Sequence, residues 1–250
     1  MIWSATLVYF SPTRTTRRVL RAIAGGLQIP TEIELDLTLP SAAARERRVP
    51  KEHLLILGAP VYAGRVAPLA LSRFRCLQGE GSPAVVVAVY GNRDYEDALL
   101  ELGDFAASAG FRLFAGAVFV GEHSYATEQA PIAWGRPDAA DLARAAGFGG
   151  SIQERLDTLD GPVALAALRL PGRRPYVVKP ATGQPPATPF TEETLCNLCG
   201  ECLAACPVSA VSLAEVAASD ARLCIRCSAC IKRCPTGARS WKAGMVLASV

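Results

Sequence analysis

The feature that most constrains this chain is a duplicated array of cysteines in its last quarter. The first copy reads Cys196-Asn-Leu-Cys199-Gly-Glu-Cys202-Leu-Ala-Ala-Cys206-Pro207. The second reads Cys224-Ile-Arg-Cys227-Ser-Ala-Cys230-Ile-Lys-Arg-Cys234-Pro235. Every cysteine and the closing proline recur 28 residues later, which marks an internal repeat. Three cysteines at steps of three let one turn of loop face a cubane iron–sulfur cluster. A fourth, leading into proline, points away and ligates the other cluster. The expected sets are Cys196, Cys199, Cys202 and Cys234 for cluster 1, and Cys206, Cys224, Cys227 and Cys230 for cluster 2. Structural zinc, the plain alternative, uses two C-x-x-C knuckles and has no use for a third cysteine at the same step or a repeated Cys-Pro. The expectation is therefore two [4Fe–4S] clusters. Residues 191–240 hold few large apolar side chains, so the clusters must staple that segment, and removing the metal should unfold it.

The first 160 residues have a different rhythm. Short apolar runs rich in Val, Ile and Leu fall at 2–10, 31–37, 53–59, 84–90 and 113–120. Segments of helical period fall at 15–27, 66–76, 94–109 and 137–159, and residues 41–47 read as one further short helix. Alternation of this kind implies βαβ units and a parallel sheet covered on both faces. Five strands suggest an α/β, flavodoxin-like, doubly wound parallel sheet of order 2-1-3-4-5. The run Gly147-Phe148-Gly149-Gly150 reads as a turn, because no strand precedes it as a dinucleotide fingerprint requires. From 171 to 190 six prolines impose an extended segment. The expected organisation is a flavodoxin-like domain over 1–165, a Pro-rich linker over 166–190, and a small α+β ferredoxin-like domain over 191–250.

Composition narrows the class further. Of 250 residues half are hydrophobic and a fifth are charged, and the net charge is +3. With scattered arginines and no basic stripe, nothing points to nucleic acid. No apolar run approaches the roughly 18 residues of a spanning helix. Met1–Phe10 lacks the basic residues and the cleavage site of a signal peptide. A soluble, cytoplasmic protein is expected. The ninth cysteine, Cys76, reads as an ordinary packed thiol.

Three loops follow the carboxyl ends of strands, where open parallel sheets bind ligands. After the first strand come Ser11, Thr13, Arg14, Thr15 and Thr16, which open a helix whose N-terminus suits a phosphate. After the third come Pro60, Val61, Tyr62, Ala63 and Gly64, and after the fourth come Tyr90, Gly91, Asn92, Tyr95 and Asp97. On the same rim lies Gly121-Glu122-His123-Ser124-Tyr125, where His123 is the one titratable group near neutrality.

These residues carry two resemblances. Residues 196–235 resemble the bacterial-type two-cluster ferredoxins, which implies one-electron transfer. The loop 11–16 resembles the flavodoxin phosphate loop, with one departure: Arg14 stands where that family prefers Gly. By that resemblance the cofactor is FMN. Ser11, Thr13, Arg14, Thr15 and Thr16 would hold its phosphate, Tyr62 and Tyr95 would stack on its ring, and Gly91 and Asn92 would offer backbone groups. Taken whole, the chain resembles the fused flavodoxin–ferredoxin family. That resemblance implies an electron-transfer protein converting between one-electron and two-electron partners through its clusters and FMN. Two other readings stay open. One is an FMN/iron–sulfur reductase of a small organic substrate, with His123, Tyr95 or Glu122 as proton donor. The other is a ferredoxin with a flavin-free docking domain. The expected partners are redox proteins. The ferredoxin segment mixes acids and bases, so no one-signed surface names them.

Overall fold

The computed structural model describes residues 2–43, 45–158, 168–178 and 187–242. In chain order the N-terminal part contains β1 (Ser4–Tyr9), α1 (Thr15–Gly25), β2 (Thr31–Asp36), β3 (Arg47–Val49), β4 (His53–Tyr62), β5 (Arg65–Val66) and α2 (Pro68–Phe74). It continues with β6 (Leu77–Gly79), β7 (Pro83–Tyr90), α3 (Ala98–Ser108), β8 (Arg112–Val120) and α4 (Ala139–Asp157). The long strands pair in parallel in the order β2-β1-β4-β7-β8, the 2-1-3-4-5 order expected. Residues 41–47 are not one helix. Pro40–Ala43 forms a 3-10 turn, and Arg47–Val49 pairs in parallel with Leu77–Gly79 as a small second sheet.

Period-two alternation splits the central strands between two apolar layers. Leu7, Tyr9, Leu54, Ile56, Val85 and Val87 face α1 and α4, while Val8, Leu55, Leu57, Val86 and Ala88 face α2 and α3. Helix α1 contributes Thr16, Val19, Leu20 and Ile23, one stripe at helical spacing. Helix α4 starts from a capping box in which Asp138 and Asp141 each accept from the other's backbone N–H.

The glycines at 147–150 correct the turn expected there, because α4 runs through them unbroken. A Cβ on Gly149 would stand 2.0 Å from the carbonyl oxygen of Ile23. A Cβ on Gly26 would stand 1.9 Å from that of Ala146. Glycine is required here so that α1 and α4 can touch backbone to backbone.

The described part of the expected linker, 168–178, lies along the domain. Leu170 fills the space left by Gly103 and Gly116. The buried Asp97 carboxylate accepts from the backbone N–H groups of Arg173 (2.9 Å) and Val177 (2.6 Å). Asp104 takes Arg174 and the Tyr176 hydroxyl. Pro180, Pro185 and Pro186 lie outside the described residues.

The C-terminal part contains β9 (Phe190–Thr191), α5 (Glu201–Ala204), β10 (Val211–Leu213), β11 (Ala217–Ser219), α6 (Ala229–Lys232) and β12 (Arg239–Ser240). Strands β9 and β12 pair antiparallel, as do β10 and β11. The sequence repeat is also a backbone repeat. Left-handed residues recur at the same offset: Leu198 and Arg226, Gly200 and Ser228, Ser209 and Gly237. Among the described residues no helix is long and apolar enough to cross a membrane.

Candidate functional site

Each cysteine triplet wraps a left-handed turn that leads into a four-residue helix. Cys196, Cys199, Cys202 and Cys234 line one cavity together with Gly200, Ala217 and Arg239. These four are the expected first set, with Cys234 arriving from the other repeat. Cys206, Cys224, Cys227 and Cys230 form the second group, each within electrostatic reach of the others. Burial raises the Cys202, Cys224 and Cys230 thiols and lifts Cys227 to about 12. At Cys234 burial also raises the thiol. The Thr236 hydroxyl and the backbone N–H groups of Arg239, Thr236 and Ala238 outweigh it, and the thiol is lowered. Ala210 donates its N–H to the Cys206 sulfur at 3.2 Å. N–H donors aimed at sulfur are what tune an iron–sulfur centre, and protons must leave these thiols when metal binds. The donor set fits two cubane clusters.

The loop after β1 closes on itself. The Ser11 hydroxyl accepts from the N–H of Arg17 at 3.1 Å, and the Ser11 N–H donates to the Thr38 hydroxyl at 2.8 Å. Arg14, the residue before α1, has φ 67, the left-handed region that favours glycine. The preference for Gly at this position therefore has a backbone cause, and this chain meets the same geometry with an arginine. Thr13 and Thr15 hydroxyls lie 3.5 Å apart. The Thr16 hydroxyl is buried with no partner among the described residues. An orphaned donor at a helix N-terminus suits a phosphate oxygen.

The other loops of the rim are strained in the same sense. Ala63 (φ 53), Asn92 (φ 64) and Glu96 (φ 40) are left-handed without being glycine, a pattern that clusters at ligand clamps. The Asp97 N–H donates to the Gly64 carbonyl at 3.0 Å and joins the two loops. Pro60, Val61, Tyr62 and Ala63 run out along the end of β4. Tyr90 and Tyr95 meet edge to face, with ring centroids 5.6 Å apart. His123 lies against Gly91, and its Nδ1 accepts from the N–H of Tyr125 at 3.2 Å. Burial first, then Lys232 and Arg93, lowers the His123 pKa and keeps the ring neutral near pH 7. Asp97 sits apart from this group, since its carboxylate is committed to residues 173 and 177.

The cysteine segment is seated on this same rim. Ile225, between Cys224 and Cys227, packs against the N-terminal core that also takes Tyr62 and Tyr95. The Tyr62 phenol is pushed well up, by burial first and then by Cys227 and Tyr125. Tyr125 in turn packs edge to face on Trp241 at 5.2 Å. Lys232 binds the Glu122 carboxylate at 2.5 Å and the Ala126 carbonyl at 2.8 Å, with Trp134 beneath it. Arg73, buried on α2, donates to the carbonyls of Leu37, Thr38 and Pro207. It thus links the partner of Ser11 to the residue after Cys206. Sequence reasoning missed Arg73, Ile225, Lys232 and Trp241, because nothing in their spacing distinguishes them from surface residues.

The sheet and the cradles define a class: a flavodoxin-like domain joined to a ferredoxin-type iron–sulfur segment, an electron-transfer protein. Residues 195–238 match the family described as the 4Fe-4S dicluster domain. A search of curated proteins returns no match. Among solved structures, oxidised flavodoxin 1 from Bacillus cereus is similar at 15% identity and TM-score 0.46, covering 63% of this chain and 99% of that one. A flavodoxin, WrbA-like protein from Agrobacterium tumefaciens, is similar at 19% identity and TM-score 0.39, covering 62% and 98%. A flavodoxin from the domain Archaea is similar at 13% identity and TM-score 0.38, covering 62% and 99%. Likeness at this level carries no argument about ligand. The doubly wound order is a property of the sheet itself.

Proposed function

We propose that this chain converts between one-electron and two-electron carriers through two [4Fe–4S] clusters and an FMN, with cluster 2 beside the flavin. The observation that carries the reading is the seating of Ile225 and Cys227 against the rim that bears Tyr62 and Tyr95. When bound, FMN takes two electrons and two protons, singly or as a pair, while each cluster handles one electron. The chain's own residues do the rest. The hydroxyls of Ser11, Thr13, Thr15 and Thr16 and the Arg14 guanidinium hold the phosphate at the start of α1. Tyr62 and Tyr95 flank the ring, and the backbone of Gly91 and Asn92 faces its edge. Pro60, Val61, Ala63, Gly64 and Tyr90 wall the site, and Asp97 fixes the loop from outside. Tyr62, Tyr125 and Trp241 exclude water between rim and cluster, which lowers the local dielectric and so bears on the potentials. The domain division is read as 1–165, 166–190 and 191–250.

The test is compositional. Anaerobically purified protein, treated with acid, should release one FMN per chain alongside iron and sulfide for two clusters. Flavin missing from protein that is replete in iron and sulfide would contradict the proposal.

A further inference from the structure

Arg239 is 2% exposed, yet its hydrogen-bond partners among the described residues include no carboxylate. One terminal nitrogen, Nη1, donates to the Thr191 hydroxyl at 2.6 Å and the Ala217 carbonyl at 3.0 Å. The other, Nη2, donates to the Ser219 hydroxyl at 2.5 Å and contacts the Cys230 sulfur at 3.6 Å. The remaining donor, Nε, is buried without a partner. The same side chain lines the cavity formed by Cys196, Cys199, Cys202 and Cys234. One guanidinium therefore borders the first cysteine set and touches a sulfur of the second. A charge buried without a counter-ion is costly, and an unsatisfied donor adds to that cost. Both costs vanish if the counter-ions are the clusters, since four thiolates leave each cubane net anionic.

We infer that Arg239 is a shared cation of the two clusters, which raises both reduction potentials. Each cluster gains one electron on reduction, so each becomes more negative, and a positive charge between them favours that state. Because it borders both sets, the charge acts on each of the two one-electron steps and not on one alone.

The inference rests on the two ligand sets and not on the flavin, so protein without FMN still decides it. Full-length wild type, Arg239→Gln and Arg239→Lys are purified anaerobically, and iron and sulfide are counted. Both clusters are then titrated with dithionite under electron paramagnetic resonance. In Arg239→Gln both potentials should fall, while Arg239→Lys should fall between that variant and wild type. Unchanged potentials in cluster-replete Arg239→Gln, or equal shifts in the two variants, would overturn the inference. Should Arg239→Gln fail to hold its clusters, wild type decides the matter. With 15N in the arginine guanidinium groups, pulsed resonance should find nitrogen coupled to both reduced clusters, with both couplings lost in Arg239→Lys. Coupling to one cluster or to neither overturns the inference equally.

Discussion

At Thr16 a buried hydroxyl has no partner among the described residues, and that makes it a sharp probe of what the first loop is for. Thr16→Val keeps the shape and removes the donor. Flavin-stripped protein should be as stable as wild type or up to about 1 kcal/mol more stable, since no hydrogen bond is lost. The FMN dissociation constant should rise roughly ten-fold, a matter of about 1.4 kcal/mol, in fluorescence titration. Equal affinity would remove Thr16 from the phosphate site. Arg73 answers to the opposite logic. Its guanidinium serves three backbone carbonyls, so Arg73→Met should lower stability by about 3 kcal/mol in denaturant melts. At this scale the cysteine array was legible as an iron–sulfur segment, because residue type and spacing together mark it, and the family match over residues 195–238 agrees. Arg73 and Arg239 were not, because an arginine in sequence gives no sign that it will be buried.

Among the elements, α4 shows best where sequence reading stops. Four residues with three glycines read as a break, since glycine disfavours helix by about 1 kcal/mol relative to alanine. What the sequence cannot show is that α1 approaches so closely that Gly149 has no room for a Cβ. Gly149→Ala should therefore destabilise by about 3 kcal/mol through forced separation of the two helices. Gly147→Ala, with nothing within 4 Å of its Cβ, should stabilise by about 1 kcal/mol. Thermal or denaturant melts of the pair read the contrast directly, and matching effects would contradict it. The strap over 168–178 gives a second test. Asp97 is held below the usual carboxylate range, first by the Val177 N–H, against burial, and then by the Arg173 N–H. A carboxyl lowered in the folded state contributes above its unfolded value of about 3.9 and loses that contribution as pH falls through the lower folded value. The strap should thus stay anchored from neutral pH down to about pH 4. Asp97→Asn should speed hydrogen exchange over 168–178 at neutral pH, and unchanged exchange would show that the charge does not hold it. The five long strands and the four long helices of the N-terminal part were legible from period, within a few residues at their ends, while the short β3–β6 pair was not, because three residues carry too little period to read. The strap was not, because prolines announce an extended chain but not the surface it lies on.

For the molecule as a whole, the two halves should respond differently to loss of iron. Anaerobic chelation should abolish the iron–sulfur absorbance, leaving that of the flavin, and melt residues 191–242, while the parallel sheet keeps its cooperative transition, because the sheet has two apolar layers of its own. Both halves could be read from sequence, one from its repeat and one from its alternation. Their docking could not, since it depends on Ile225, Arg73 and Lys232 meeting partners more than a hundred residues away. That docking has a kinetic signature. Clusters reduced by a one-electron donor under anaerobic stopped flow should pass electrons to the bound flavin with a first-order rate that does not change with protein concentration. A rate proportional to protein concentration would mean that electrons reach the flavin from other molecules, and that cluster 2 does not serve the flavin of its own chain.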